Sequence, residues 1–404
     1  MAADSYLRGE DLSTRFAQLG QFLKAHRALW HPRPFVHDAV PWEASHPALA
    51  NWLRGRTLSE AEFAHHEPHR LDAPAPFHDI ARCAWTLSQL GPLPRRHIAP
   101  PPHRLNVDVP GRKWQQVEAF ADHLEPSEPN AHWLDWCAGK GHLGRRLVQP
   151  GQRLTALEFD LALVKAGERL SAQHRIPAVH RLQDVLTPDT AELLEPEHSA
   201  VALHACGDLH VRLMELASDA GCRQIAIAPC CYNRIKDSCY RPLSEPARRQ
   251  GLELDLHDLA LPASETVTAG ARVRRQRDQS MAWRLGFDLL QRSLRDSPAY
   301  LPTPSLSSTW LNQPFEHYIR HLLSLKKLSL SVAPDWAELE RAGWARLAQV
   351  RNLELVRLLF RRPLELWLAL DRALYLREKG YEVKLGTFCE SNLTPRNMLI
   401  LAQR

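Results

Sequence analysis

The 404-residue sequence contains no long uninterrupted apolar run. Its most apolar late stretch, residues 353–376, is broken by acidic and basic side chains and by Pro363, which excludes a membrane span there. The first residues include acidic side chains and lack a cationic segment followed by an apolar core, so we expect no secretory signal. Together these absences predict a cytoplasmic protein with no membrane partner.

Cysteine is infrequent and irregularly spaced. The eight cysteines include no C-x-x-C pair, and the adjacent Cys230 and Cys231 are a poor substitute for that zinc-binding spacing. In a chain of this length, such spacing favours reduced intracellular thiols over a disulfide framework. We therefore expect neither a disulfide nor a bound metal.

A strong excess of one charge is also missing, because the net charge is only +5. The positive charge is nevertheless concentrated in residues 232–362, which hold 21 lysines and arginines against 14 acidic residues. Arg272, Arg274, Arg275 and Arg277 form a cluster there, which a strand would divide equally between its two faces. Such a run is most often a solvated surface. Its alternative is a contact with an acidic substrate, for which Arg274 is the candidate.

Apolar spacing divides the chain into two regions. Residues 1–105 predict a small helical region that ends in a proline-rich linker at 94–102. Residues 106–404 predict an α/β domain with a doubly wound, mostly parallel sheet, interrupted by a helical insertion at about 233–362. The seven strands are expected at 133–136, 153–158, 178–182, 200–204, 224–228, 381–389 and 397–403.

The last two strands follow a helix predicted at 363–379 and are joined by a short loop. So short a connection cannot make a parallel crossover, because parallel strands need a dozen or more residues between them. The final strand is therefore predicted to be antiparallel to its predecessor.

The first strand of the α/β domain leads into a glycine-rich turn, WLDWCAGKGHLG, at residues 133–144. Its Gly139, Gly141 and Gly144 satisfy the G-x-G-x-x-G spacing, and the turn opens a helix near His142 with unpaired N–H groups. Glu158 lies 19 residues after Gly139, at the end of the next strand, where an acid can hold two ribose hydroxyls. These features allow either a nicotinamide dinucleotide or S-adenosylmethionine.

Two further features favour S-adenosylmethionine. Asp135 ends the strand before the turn, where its carboxylate would attract the cationic amino and sulfonium groups of that molecule and repel a pyrophosphate. The predicted antiparallel last strand is typical of class I methyltransferases. The sequence therefore predicts a seven-stranded Rossmann-like methyltransferase sheet.

Three motifs resemble one methyltransferase family. They are D-x-C-A-G-K-G at 135–141, H-A-C-G-D at 204–208 and P-C-C-Y at 229–232. The family includes the glutathione-S-transferase-C-terminal-domain methyltransferase and related methyltransferase-like proteins. The tRNA 2'-O-methyltransferase of the acceptor stem is similar at the second and third motifs. The resemblance covers roughly residues 113–232 and 366–404.

The resemblance implies which residues contact the cofactor. Glu158 would hold the ribose, and Asp184, after the third predicted strand, would meet the adenine amino group. The alternative for Asp184 is an acid that caps the loop before Leu186. The residues that would line the cofactor's methionine end and the strand end beside it are Asp135, Cys137, Gly139, Gly141, His204 and Cys206.

His204 and Asp208 are the first candidates for catalysis. His204 ends the fourth predicted strand, where it would accept a proton from the substrate nucleophile at neutral pH, and Asp208 would orient that nucleophile or act as the base. Both residues have a structural alternative, since a strand-end histidine often hydrogen-bonds backbone and Asp208 could cap a helix starting at Leu209.

Further candidates follow the fifth predicted strand and the last loop. Tyr232 and Asn233 would contact a flat substrate, with Tyr232 also proposed for catalysis and, alternatively, as a roof over the pocket. Cys230 and Cys231 border the same crevice. Tight packing in a cluster with Cys206 and Cys137 is favoured there, and the alternatives are substrate contact, thiolate chemistry and metal binding. Arg396 would hold a phosphate or pin the final hairpin together with the neighbouring Asn397.

The sequence thus predicts an S-adenosylmethionine-dependent methyltransferase. The family resemblance and the arginine-rich insertion indicate an RNA, either tRNA or rRNA, as the substrate and as the binding partner. Two alternatives stay open at this point: transfer to a protein or small molecule, and a non-catalytic module that binds the cofactor and RNA.

Overall fold

The computed structural model describes residues 5–96, 105–107, 109–126, 128–264 and 270–404. The predicted linker at 94–102 lies in part outside the described residues. The eight strands are β1 (Leu7–Arg8), β2 (His132–Trp136), β3 (Arg153–Glu158), β4 (Ala178–Leu182), β5 (His198–Cys206), β6 (Gln224–Cys230), β7 (Glu382–Thr387) and β8 (Met398–Gln403).

All eight strands form one sheet in the order β1-β7-β8-β6-β5-β2-β3-β4. The strands β6, β5, β2, β3 and β4 are parallel neighbours, and β8 is antiparallel to both β6 and β7. This order confirms the predicted doubly wound sheet with an antiparallel last strand. The predicted number of seven strands was wrong by one, because β1 pairs antiparallel with β7. A strand of two residues is too short to show an alternating pattern.

Helices surround the sheet and build the rest of the chain. The α-helices are α1 (Glu10–Ala25), α2 (Arg27–Trp30), α3 (Pro47–Arg54), α4 (Leu58–Ala64), α5 (Phe77–Ser88), α6 (Gly111–Ala121), α7 (His142–Leu147), α8 (Leu161–Gln173), α9 (Asp208–Asp219), α10 (Glu245–Gln250), α11 (Leu256–Ala260), α12 (Ala271–Arg295), α13 (Phe315–Leu325), α14 (Trp336–Leu358) and α15 (Arg361–Glu378). Within the described ranges, no helix combines the length and the apolar character that a membrane crossing requires.

The described chain divides into two compact units, and each is built from separated stretches. The first unit takes the described parts of Met1–Phe22, Leu87–Val267 and Arg362–Arg404, and it contains the sheet. The second unit takes Leu23–Thr86 and the described part of Thr268–Arg361. This grouping differs from the predicted boundaries, because residues 5–22 belong with the sheet and residues 23–86 belong with part of the predicted insertion.

The core of the first unit packs the sheet against helices on its faces. Trp133 of β2 and Leu154 of β3 are buried together with Phe120 of α6 and Leu143 of α7. Every residue of β6 is buried, as expected for a central strand that is covered on both faces. This burial explains why β6 is a continuous apolar run in the sequence rather than an alternating one.

The second unit is helical and has its own core. Trp283 and Phe287 of α12 pack with Phe315, Tyr318 and Ile319 of α13, and Trp283 donates a hydrogen bond to Glu340 of α14 at 2.8 Å. The four clustered arginines lie at the start of α12. The equal division between two strand faces was therefore wrong. Helical geometry instead pairs Arg272 with Arg275 and Arg274 with Arg277.

Candidate active site

The turn after β2 has a left-handed backbone at three positions. Cys137, Gly139 and Gly141 have φ values of 53°, 59° and 72°. Gly141 precedes α7, and a Cβ atom there would lie 2.8 Å from Cε1 of His180, so only glycine fits this turn without a shift. Glycine is therefore required at position 141, because the backbone there lies close to the His180 side chain.

Asp135 lies beneath this turn and is only 2% exposed. Its Oδ2 accepts a hydrogen bond from the N–H of Gly144 at 2.9 Å, which ties α7 to the end of β2. Burial raises the pKa of Asp135 to about 7, and the Gly144 hydrogen bond and the charge of Arg145 offset part of that rise. Contact between this carboxyl group and a bound cofactor stays a prediction.

Glu158 ends β3 beside the same turn. Its Oε2 accepts the N–H of Gly139 at 2.7 Å, and its Oε1 accepts the N–H of Asp160 at 3.0 Å. Both carboxylate oxygens of Glu158 therefore accept hydrogen bonds from backbone N–H groups. A carboxylate oxygen can accept more than one hydrogen bond, so the predicted ribose contact is compatible with this arrangement.

Asp184 follows β4 and is exposed. Its Oδ1 accepts the N–H of Leu186 at 3.0 Å, which is the loop-capping arrangement that the sequence left as the alternative. The structure thus assigns Asp184 a local structural role and leaves the adenine contact as a prediction.

His204 lies at the carboxyl end of β5 with a φ of 72°, an unusual conformation for a non-glycine residue. Its pKa is lowered by desolvation and by the positive charge of Lys113. The imidazole is therefore neutral at pH 7 and able to accept a proton. The residue nevertheless keeps part of its surface exposed, so a substrate can reach it.

Lys113 affects the pKa of several groups at the site, which the sequence gave little reason to expect. It is exposed near the start of α6, and its charge lowers the pKa of Asp135, His142 and His204. It thus lies within electrostatic reach of the ends of both β2 and β5. The signal in the sequence was only a weak resemblance around residue 113.

Asp208 holds the loop that follows β6. Its Oδ2 accepts the N–H of Lys236 at 2.7 Å, and its own N–H donates to the carbonyl oxygen of Arg234 at 3.0 Å. The predicted capping role was wrong in detail, because α9 begins at Asp208 and Gly207 occupies the N-cap. A Cβ atom at Gly207 would lie 1.9 Å from the Arg234 oxygen, so the loop can approach only a glycine.

Three cysteines meet where β5 and β6 end. Cys206 and Cys230 are register partners, and their Sγ atoms are 3.5 Å apart. Cys231 has a φ of 48°, and its Sγ lies within 4.8 Å of both others. Hydrogen bonds from the two neighbouring thiols lower the pKa of Cys231, and burial raises the pKa of Cys137 to about 12.

Tyr232 is buried rather than presented to a substrate. Its side chain is 2% exposed, and the Arg372 guanidinium lies 4.7 Å from its ring centroid. Burial raises the pKa of its hydroxyl, which has no hydrogen-bond partner among the described residues. Tyr232 follows β6, as expected, but its burial favours the alternative of a roof over the pocket, and its substrate contact and catalytic role stay predictions. The next residue, Asn233, is half-buried.

The two arginines proposed for the substrate have different surroundings. Arg396 donates from Nη2 to the carbonyl oxygen of Ala263 at 2.6 Å, so it holds a loop distant in sequence as well as its own. Asn397 pins the hairpin by donating to the carbonyl oxygen of Cys389 at 2.7 Å. Arg274 is exposed on α12 and belongs to the second unit.

The sheet order and the glycine turn agree with the methyltransferase fold that the sequence predicted. Residues 112–238 match a family model described as "Methyltransferase domain". The match begins in α6 and ends beyond the three-cysteine cluster, so it includes the turn after β2 and the three catalytic candidates His204, Asp208 and Tyr232. A Cβ atom at Gly139 would meet no atom of the described residues within 4 Å, so the turn is open there, and contact of Gly139 or Gly141 with a cofactor stays a prediction.

Solved structures similar to this chain include other methyltransferases. A protein from a study of disulfide-to-thioacetal conversion in echinomycin biosynthesis is 18% identical, over 31% of this chain and 53% of its own, with a TM-score of 0.22. Geranyl diphosphate C-methyltransferase from Streptomyces coelicolor A3(2) is 21% identical, over 38% and 65%, with a TM-score of 0.24. The N-terminal domain of human METTL16, in complex with SAH, is 18% identical, over 54% and 90%, with a TM-score of 0.23. The chain thus spans less than two thirds of the first two proteins.

Proposed function

We propose that this chain is an active S-adenosylmethionine-dependent methyltransferase and that its acceptor is RNA. S-adenosylmethionine supplies an electrophilic methyl group on a sulfonium. Backbone at Gly139 and Gly141 would approach the cofactor, and Glu158 would hold its ribose hydroxyls. Cys137, Cys206 and the carboxyl group of Asp135 would line its methionine end, and Asp184 its adenine.

His204 is proposed as the group that accepts the proton from the acceptor nucleophile. Its neutral imidazole at pH 7 supports this role. Lys113 would help to keep His204 neutral and would attract an anionic acceptor toward the same edge. Asp208 would act indirectly, by holding the loop at 234–236 against the end of β5.

The observation that carries the RNA proposal is an aromatic and cationic cavity in the second unit. It has a volume of about 440 Å³ and is lined by Thr309, Trp310, Gln313, His317 and Arg320. A cavity of this size is large enough for a small ligand. Aromatic faces beside cations bind unpaired bases and the phosphates that join them.

The side chains around the cavity are held in place. The Trp310 ring stacks on the His321 ring with centroids 4.0 Å apart and an angle of 14° between the planes. The Arg320 guanidinium lies 5.2 Å from the Trp336 ring centroid and pairs with Glu316 at 2.7 Å. A fixed stacking surface loses little side-chain entropy when a base binds to it. The exposed arginines that open α12, Arg274 among them, add positive charge to the same unit.

A labelled-methyl assay tests the proposal. Full-length chain is incubated with S-adenosylmethionine carrying a labelled methyl group and with total RNA, total protein or a small-molecule extract. We expect label in RNA. Label confined to protein or to small molecules would overturn the RNA proposal. Cofactor binding by calorimetry with no transfer to any fraction would indicate a non-catalytic module.

A further inference from the structure

The three cysteines at the ends of β5 and β6 form a group whose geometry the sequence did not predict. Each offers one sulfur atom, and all three sulfur atoms lie within 4.8 Å of one another. Cys230 is buried, whereas Cys206 and Cys231 are half-buried. The group is therefore both preformed and accessible from one side.

The convergence depends on the backbone of Cys231. Successive side chains of a strand point to opposite faces, which is why adjacent cysteines make a poor metal clamp in extended chain. Cys231 leaves the strand with a left-handed φ of 48°, and this breaks the alternation. Its sulfur therefore reaches the same place as that of Cys230. A non-glycine residue adopts this conformation at a cost, which is typical of functional sites.

The separation of the sulfur atoms suits a thiophilic cation. Tetrahedral zinc has Zn–S bonds of about 2.3 Å, which places its sulfur ligands about 3.8 Å apart. This separation lies within the range that the cysteines already span. The Sγ atoms of Cys206 and Cys230 are 3.5 Å apart, and no two of the three sulfur atoms are more than 4.8 Å apart. Small side-chain rotations would therefore bring all three sulfur atoms to one ion.

We propose that Cys206, Cys230 and Cys231 bind a single zinc-like divalent cation through their thiolates. Three protein ligands leave a fourth position, which is the arrangement of catalytic rather than structural zinc sites. Water or a donor atom of the acceptor would occupy that position.

This inference extends beyond the proposed function, because metal binding by the cysteines requires neither RNA nor methyl transfer. It also replaces the expectation of no metal, which rested on the adjacency of Cys230 and Cys231. Cys206, one of the three proposed ligands, is two residues from His204 in the sequence. A cation bound by the thiolates at the carboxyl edge of β5 and β6 would therefore lie close to His204. It would thus provide a Lewis acid beside the proposed base.

Metal content and cobalt spectroscopy test the site. The full chain is purified under reducing conditions without chelator, and its zinc is measured by elemental mass spectrometry. Metal-free protein is then titrated with Co²⁺, whose thiolate complexes absorb strongly in the near ultraviolet. We expect one equivalent of metal per chain and a sulfur-to-cobalt absorption band.

Two variants and a control assign the ligands. Cys206→Ser and Cys231→Ser each remove one thiolate, and we expect at least about tenfold weaker Co²⁺ binding, since loss of an outer-shell partner alone costs that much. Cys239→Ser is the control, because Cys239 lies in the same unit and is exposed outside the group. Its binding should equal that of the wild type. Circular dichroism checks that each variant folds.

Three results would overturn the proposal. The first is wild-type protein that takes up no metal after reduction. The second is a cobalt spectrum without a thiolate band, or one that Cys206→Ser and Cys231→Ser leave unchanged. The third is a protein mass lower by two hydrogens with two thiols unreactive, which would indicate a disulfide between Cys206 and Cys230. All three readouts are independent of methyl transfer, so their failure is distinguishable from failure of the RNA proposal.

Discussion

At the scale of single residues, the site is marked by backbone strain. Cys137, His204 and Cys231 have left-handed φ values although none is glycine, and they follow or end β2, β5 and β6. These three strands are neighbours through β5, so the strained residues lie along one edge of the sheet. Such conformations persist only where surrounding structure enforces them. Sequence spacing identified these residues as candidates, but nothing in the sequence indicated their conformation.

Replacement of Asp135 by asparagine should change how stability depends on pH. The pKa of Asp135 is raised from its unfolded value to about 7, so the folded protein binds the proton more tightly than the unfolded chain does. Stability contributed by this group is therefore full below the unfolded pKa and falls by about 4 kcal/mol as pH rises toward 7. Urea unfolding between pH 3 and pH 8, about one unit beyond each pKa, should show a flatter profile for Asp135→Asn.

The asparagine variant keeps an oxygen that can accept the hydrogen bond from the Gly144 N–H. The substitution therefore removes the titratable charge of residue 135 without removing this hydrogen bond. A profile as steep as that of the wild type would contradict the assignment. Calorimetry with S-adenosylmethionine on the same variant would separately test whether the Asp135 carboxylate attracts the cofactor. We expect weaker binding, because the attraction to the cationic end is lost.

A pH profile should reveal His204 as the proton acceptor. Because desolvation and Lys113 lower its pKa, kcat/KM should fall on the acid side only below the ordinary histidine range. Lys113→Gln removes the cation and should move this limb to higher pH. His204→Gln should reduce kcat by about 10²-fold or more and abolish the limb. An acid limb that survives in His204→Gln would exclude this role.

At the scale of elements, buried polar contacts hold α15 against the chain segments next to the site. Asp371 is fully buried and accepts four hydrogen bonds, from the hydroxyl of Tyr240, the N–H of Leu243, and the N–H and hydroxyl of Ser244. The adjacent Arg372 donates to Nε2 of His210 at 2.7 Å. These contacts tie α15 to α9 and to the chain that follows β6. In the sequence, the only sign of this network was a charged pair inside an apolar helix.

Asp371→Ala should destabilise the first unit strongly. It leaves two backbone N–H groups and two hydroxyls without their acceptor. Loss of one partner of a buried charged network costs about 3–5 kcal/mol. Chemical denaturation followed by circular dichroism measures the change.

Asp219→Ala is the matched control for this prediction. Asp219 pairs with Lys379 at 2.8 Å, but its side chain is 62% exposed, so we expect a change below about 1 kcal/mol. Equal effects of the two substitutions would show that burial of the Asp371 network contributes nothing.

At the scale of the whole molecule, the chain builds two compact units from interleaved segments. The sheet unit takes residues from three stretches and the helical unit from two. Segments that fold together are therefore distant in sequence, and a boundary placed from local composition cannot follow them. The predicted cofactor site belongs to the first unit and the aromatic and cationic cavity to the second, so substitutions can test each of them by itself.

Trp310→Ala should weaken RNA binding without abolishing cofactor binding. Loss of one stacked base costs about 1–3 kcal/mol, and its salt dependence should match that of the wild type because no charge is removed. Trp85→Ala is the matched control, since Trp85 belongs to the same unit and also stacks on a histidine, His69, at 4.1 Å. Fluorescence titration with single-stranded RNA measures both. An equal loss in the two variants would contradict a base-stacking role for the cavity.

The sequence by itself determined the cofactor domain. Strands β3 and β4 have the predicted bounds, since apolar runs closed by turn residues define them locally. The glycine turn and the antiparallel last strand also followed from short-range rules. Only the tertiary structure decided which distant residues lie together and how closely: the burial of Tyr232, the loop held by Asp208, the short sulfur-to-sulfur distances among the three cysteines and the two interleaved units. Such contacts join residues far apart in the chain, and they depend on burial and backbone conformation that no local pattern encodes.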